Sequence, residues 1–170
     1  MCHDRGSMLH SAILETRHLH WRDEAACEAC ARRLAARPEL RDACVELHGP
    51  LGAGKTTFVR HLLRALGVTG RIKSPTYAVM EPYTLPGGFS ISHFDFYRFD
   101  DPREWEDAGL RDVFAAPGLK LVEWAEKAQG MLPAPDLRLE LRLGADDQRE
   151  VTATAHTDRG RSLLAACHDA

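Results

Sequence analysis

Aromatic side chains are few in this 170-residue chain, 7% of the total. No apolar run approaches the ~20 residues of a membrane-crossing helix. The start Met1-Cys2-His3-Asp4-Arg5 leads into no apolar segment of the signal-peptide kind. An excess of one charge is missing too. Against 25 Asp+Glu stand 22 Lys+Arg, and the net charge of −3 excludes a chain that grips DNA or RNA by its overall field. The five cysteines, Cys2, Cys27, Cys30, Cys44 and Cys167, are odd in number and scattered. They do not form a secreted disulfide framework, and they imply a reducing, cytoplasmic setting. Repeats, low-complexity tracts and an internal linker are also lacking. What remains is 44% hydrophobic and 28% charged, a soluble globular composition. The length suits one domain with its own core.

Residues 1–11 read as a loose, flexible extension, and 12–170 as a single domain. Glu15 to Trp21 alternates as an edge strand. Asp23 offers an N-cap to a helix that carries Cys27, Cys30, Ala31 and Leu34 on one stripe and stops near Pro38. That stripe makes Cys27 and Cys30 core cysteines, not half of a zinc site, since no second pair stands at zinc spacing. Ala43 to Leu47 is a short buried strand running into Gly49, and a helix from Lys55 buries Phe58, Val59, Leu62, Leu63 and Leu66 before Gly67. Tyr77–Tyr83 and Phe89–Phe94 read as strands around the turn Leu85-Pro86-Gly87-Gly88. Pro102 to Leu110 reads as one acidic helix ended by Gly109, Leu119–Val122 as a strand, and Trp124–Met131 as a helix closed by Pro133. Strands at Leu137–Leu143 and Val151–Ala155 and a helix around Ser162–Cys167 finish the chain. This order predicts an α/β fold with a mostly parallel sheet extended by antiparallel strands.

Gly49-Pro50-Leu51-Gly52-Ala53-Gly54-Lys55-Thr56 fits G-x-x-x-x-G-K-[ST] at every fixed position. Glycines let the backbone turn its N–H groups inward as an anion cradle, and the following helix adds its positive end. Lys55 brings a mobile charge to the terminal phosphates, and Thr56 a hydroxyl for magnesium. Chance would produce the pattern in roughly one chain of this size in a few hundred. The strand before it and the helix after it lower those odds further. The signal is nucleotide binding.

Phosphoryl chemistry also needs a carboxylate near the metal and a group to orient water. Asp95 and Glu123 both close apolar strands, at the sheet end where ligands gather in open α/β folds. Each taken singly also reads as a solvated turn carboxylate. No Asn/Thr-Lys-x-Asp stretch follows a later strand, which disfavours guanine and leaves ATP. Thr76 either reaches metal or phosphate or merely starts a strand after Pro75. For His93, which alternates with Asp95, a structural and a site role both stay open. His48 reads as packing. Arg60, Arg64, Arg71 and Lys73 form a basic cluster, read first as solvated surface and second as facing a partner or RNA.

Four segments in order resemble the TsaE family, a bacterial ATPase family of the tRNA threonylcarbamoyladenosine pathway. They are Gly49 to Thr57, Lys73-Ser74-Pro75-Thr76-Tyr77, His93-Phe94-Asp95-Phe96-Tyr97-Arg98 and Leu121-Val122-Glu123-Trp124, spread over roughly Asp23 to Pro133. The resemblance implies a P-loop NTPase-like three-layer sandwich. It implies an Mg-ATP hydrolase that supports TsaB and TsaD in forming N6-threonylcarbamoyladenosine at position 37 of tRNAs reading ANN codons, touching tRNA through those partners and making no threonylcarbamoyl bond itself. Carried over by residue, Gly52, Ala53, Gly54, Lys55, Thr56 and Thr57 bind the nucleotide, with Glu24 and Arg149 as further contacts. Thr56 and Glu123 serve magnesium, and Asp95 and Lys55 serve hydrolysis. Two features depart from the family pattern, the extension 1–11 and Trp105 where a smaller apolar residue is common. The alternatives are a small-molecule kinase, against which the chain shows no arginine-rich lid, and a non-catalytic ATP-gated binding module.

Overall fold

Strand composition decides which strands lie at the centre of the sheet. Leu119-Lys120-Leu121-Val122-Glu123 is buried at all five positions, as a strand covered on both faces must be. Glu15–Trp21 buries only Leu19 and Trp21, as an edge strand does. The computed structural model describes residues 12–75 and 79–169. The expectations for 1–11, Thr76 and Tyr77 lie outside these. The strands are β1 (Glu15–Trp21), β2 (Cys44–His48), β3 (Met80–Thr84), β4 (Ser90–Asp95), β5 (Leu119–Glu123), β6 (Leu137–Leu143) and β7 (Arg149–Ala155). They form one mixed sheet in the order β1-β7-β6-β2-β5-β4-β3. The four middle strands β6, β2, β5 and β4 are mutually parallel. Antiparallel β3 extends one end, and β7 followed by β1 the other. Along β1 every residue pairs with β7, from Glu15 opposite Ala155 to Trp21 opposite Arg149.

Helices α1 (Glu24–Ala35), α2 (Lys55–Leu66) and α5 (Asp158–Leu164) belong to one layer, and α3 (Pro102–Asp107) and α4 (Leu110–Ala115) to the other. The sheet separates two cores. Val45, Leu47, Leu121 and Leu139 meet Leu34, Phe58, Leu62 and Leu163 on one face. Side chains alternate along a strand, so Phe94 and Val122 point the other way, into a core with Phe96, Phe99, Trp105 and Leu110. Trp105 stacks 5.6 Å from Phe114 and fills this second core rather than approaching the phosphate loop. The side chain of Asp23 caps α1 by accepting from the Ala26 amide, and Gly67 ends α2 in the left-handed conformation.

Three helix expectations are corrected. Pro102 to Leu110 is not one helix ended by Gly109. Gly109, at φ 64°, opens α4 instead, and Leu110, Val113 and Phe114 turn inward from it at helical spacing. The segment after Glu123 holds only a 3₁₀ turn, Ala125–Ala128, because Trp124 sits at φ 59° and breaks the helical path at its start. The last helix begins earlier than Ser162, at Asp158, where the Thr157 hydroxyl accepts from the Gly160 amide. Its interior glycine is forced by close packing: a Cβ on Gly160 would lie 1.8 Å from the Asp136 carbonyl oxygen.

Candidate functional site

The loop between β2 and α2 is shaped by glycines that no other residue replaces without strain. Gly49 holds φ 142°, and a Cβ there would meet the Leu141 carbonyl oxygen at 2.4 Å. Gly54 holds φ 104° at the helix N-cap. The first-turn amides of α2 have no intrahelical acceptor, so the loop and helix end together present N–H groups to an anion. Ala53 is buried beneath the loop, and Lys55 is 5% exposed. The Lys55 ammonium donates to the Gly49 carbonyl at 2.5 Å and lies 3.7 Å above the centre of the Trp124 ring. Burial draws its pKa below the usual lysine value, against the pull of Glu123, Glu126 and Asp95. This buried cation stands beside a loop of open amides, where an anion would meet it.

Glu123 ends β5 between Leu47 of β2 and Asp95 of β4, its register partners. It is 2% exposed. One of its carboxylate oxygens accepts the Thr56 hydroxyl at 2.9 Å, and the other faces His93 Nε2 at 2.6 Å. A hydroxyl and a carboxylate held together are hard oxygen ligands, the class that magnesium takes. Among the described residues no cluster of three or more His, Cys, Asp or Glu side chains could hold an ion alone. Asp95 is half-buried and accepts the Tyr97 amide at 2.9 Å. Its pKa is raised, first by burial and further by Glu123, while the Tyr97 amide, His93 and Lys55 oppose the rise. A carboxylate with a raised pKa is a better base.

Beside the loop lies a cavity of about 160 Å³ lined by residues that include Trp21, Glu24, Cys27, Gly54, Thr57 and Arg149. Burial pushes the Cys27 thiol up to about 12, so its sulfur is uncharged there. Glu24 stands at the cavity rim and pairs with His61 of α2 at 2.9 Å.

The fold thus brings Lys55, Thr56, Asp95 and Glu123 to one end of the sheet, and Glu24, Ala53, Gly54, Thr57 and Arg149 to the adjoining cavity. Gly52 stays exposed on the loop. His93 is buried with Nε2 2.6 Å from Glu123, a contact that both of its open readings allow. His48 does more than pack: its ring reaches Glu46 at 2.8 Å and Glu126 at 3.5 Å. Arg60, Arg64, Arg71 and Lys73 are all exposed, which both of their readings allow. Sequence reasoning missed Trp21 and Cys27 as cavity lining, since their apolar character signals only a core. It also missed Trp124 as the platform for Lys55, whose one signal was adjacency to Glu123.

Residues 21–151 match the family model described as threonylcarbamoyl adenosine biosynthesis protein TsaE. A Haemophilus influenzae protein named tRNA threonylcarbamoyladenosine biosynthesis protein TsaE is 43% identical over 122 residues, 72% of this chain and 76% of that one. The Bacillus subtilis protein of the same name is 37% identical over 149 residues, 86% of this chain and 92% of the other. The crystal structure of Bacillus subtilis YdiB superposes with a TM-score of 0.74 at 30% identity, covering 91% of this chain and 95% of that one.

Proposed function

The chain belongs to the TsaE family, and from that membership we propose that it is a partner-stimulated ATPase of tRNA threonylcarbamoyladenosine biosynthesis. The observation that carries the ATPase reading is the bond from Thr56 to Glu123, which joins the phosphate loop to a strand-end carboxylate. Lys55 leaves the Gly49 carbonyl and the Trp124 ring to meet the terminal phosphates. The amides opening α2 take up the remaining phosphate charge. Thr56 and Glu123 would hold magnesium, which when bound neutralises charge on the phosphates. Asp95 accepts a proton at its carboxylate as water attacks the γ-phosphate, a task suited to its raised pKa. The adenine and ribose enter the cavity of Trp21, Glu24 and Cys27.

TsaB and TsaD are the proposed partners, with tRNA met through them. The proposed setting beside them is the cytoplasm; among the described residues no helix is long and apolar enough to cross a membrane. The test is phosphate release from Mg-ATP with and without the TsaB–TsaD pair. Slow release that rises on adding the pair is expected. Release unaffected by the pair, or γ-phosphate transferred to a metabolite, overturns the proposal.

A further inference from the structure

We propose that Arg149 is a positioning residue, which acts on the nucleotide by holding the phosphate loop to the β6–β7 hairpin. The inference rests on the phosphate-loop reading above and deepens it. A loop that turns its amides inward must aim carbonyls outward, and buried carbonyls need donors. Most of these donors come from the loop's own segment. The Gly49 carbonyl takes Lys55, Pro50 takes the Ala53 amide at 3.1 Å, and Gly54 takes the Phe58 amide at 3.0 Å. The carbonyls of Gly52 and Ala53 are met from a distant strand. Arg149 donates from Nε to Ala53 at 2.8 Å and from one terminal nitrogen to Gly52 at 3.4 Å.

The other terminal nitrogen donates to the carbonyls of Asp147, at 2.7 Å, and Gln148, at 3.2 Å. All three guanidinium nitrogens are therefore committed to backbone carbonyls, through four hydrogen bonds, two on each element. The hairpin is built to present them. Gly144 donates to Gln148 at 2.7 Å across the turn, and Asp146 and Asp147 both adopt positive φ, 51° and 62°. Aspartate tolerates that region better than most residues. A planar fork of fixed donors can bridge the two elements at once, whereas a lysine offers a single point. Arg149 also lines the nucleotide cavity, so a direct contact with the base or ribose is the rival role.

Calorimetric titration of the full chain with Mg-ATP and with magnesium tripolyphosphate separates the two. Tripolyphosphate engages the phosphate loop but has no base or ribose. Loss of charge-assisted hydrogen bonds to the loop should weaken both ligands by the same roughly 10- to 100-fold in Arg149→Ala. Arg149→Lys should recover part of both. Hydrogen exchange at the amides of 51–56, without any ligand, should speed up in both variants. ATP affinity that falls while tripolyphosphate affinity holds assigns Arg149 to the nucleoside and overturns the inference, leaving the phosphate loop intact. Unchanged affinities and exchange in folded variants overturn it as well, since the arginine would then serve the hairpin alone. Wild-type protein that binds neither ligand overturns the phosphate-loop reading and this inference with it.

Discussion

Asp95 and Glu123 face each other in register on adjacent parallel strands, yet their carboxylates are engaged differently. Glu123 is tied on both oxygens, to Thr56 and His93, whereas Asp95 is half-exposed and accepts the Tyr97 amide. Glu123→Ala should therefore weaken magnesium-dependent nucleotide binding and turnover together. Asp95→Asn should abolish hydrolysis and leave ATP affinity within a few-fold. Normal hydrolysis by Asp95→Asn in the presence of partners would remove Asp95 from the chemistry.

The raised pKa of Asp95 predicts a pH effect on stability. Folded protein holds this proton to a higher pH than the unfolded chain does. Between the two pKa values the folded state binds more protons, so stability falls as pH rises through that window and stays reduced above it. Asp95→Asn keeps an acceptor for the Tyr97 amide and has no charge to desolvate. Its Tm should exceed that of wild type near neutral pH and match it below the ordinary carboxylate pKa. Thermal melts across pH check this, and equal Tm values at neutral pH would count against it.

Lys55→Ala should weaken Mg-ATP binding by roughly 10- to 100-fold, the worth of one charge-assisted contact of ~1.5–3 kcal/mol. Calorimetry on folded variant protein measures it. Unchanged affinity would refute the phosphate-loop assignment.

The Lys55 ammonium lies 3.7 Å above the Trp124 ring, so its departure toward phosphate should alter Trp124 emission. The signal on adding magnesium tripolyphosphate, which has no base or ribose to enter the Trp21 cavity, should vanish in Trp124→Phe and persist in Trp21→Phe. A response that survives Trp124→Phe would show that Trp21 or Trp105 carries it.

Gly49→Ala and Gly52→Ala should differ. At Gly49 a Cβ meets the Leu141 carbonyl oxygen at 2.4 Å, whereas at Gly52 nothing lies within 4 Å. Left-handed strain alone, of order 1–2 kcal/mol, applies to Gly52. Gly49 adds a backbone clash, so its variant should lose several-fold more stability in denaturant titrations or fail to fold. Equal losses would contradict the close approach of Leu141.

Local patterns made most strands and the phosphate loop legible. The alternation in Glu15–Trp21, the leucines and valine of Leu119–Val122 and the glycine spacing before Lys55 are readable because backbone geometry acts over a few residues. Gly109 misled because a left-handed glycine serves equally to end one helix or to begin the next, and only the second core beneath Leu110 and Phe114 decides. Trp124 misled because an aromatic residue rarely adopts positive φ, and what holds it there, Lys55 and Tyr97, is distant in sequence. Arg149 was named through the family resemblance, and its partners at Gly52 and Ala53 were not legible, since no periodicity links the hairpin to the loop.

The pairing of β1 with β7 bears on synthesis as much as on the finished sheet. Translation delivers Glu15–Trp21 long before its partner Arg149–Ala155, so one edge must wait unpaired while the middle of the sheet assembles. Nascent chains stalled short of Ala155 are expected to leave that segment open to protease, while β2 and its loop are already protected. Glu15 and Arg17, set two apart along the waiting strand, put charges where a neighbouring nascent chain would otherwise add its own strand.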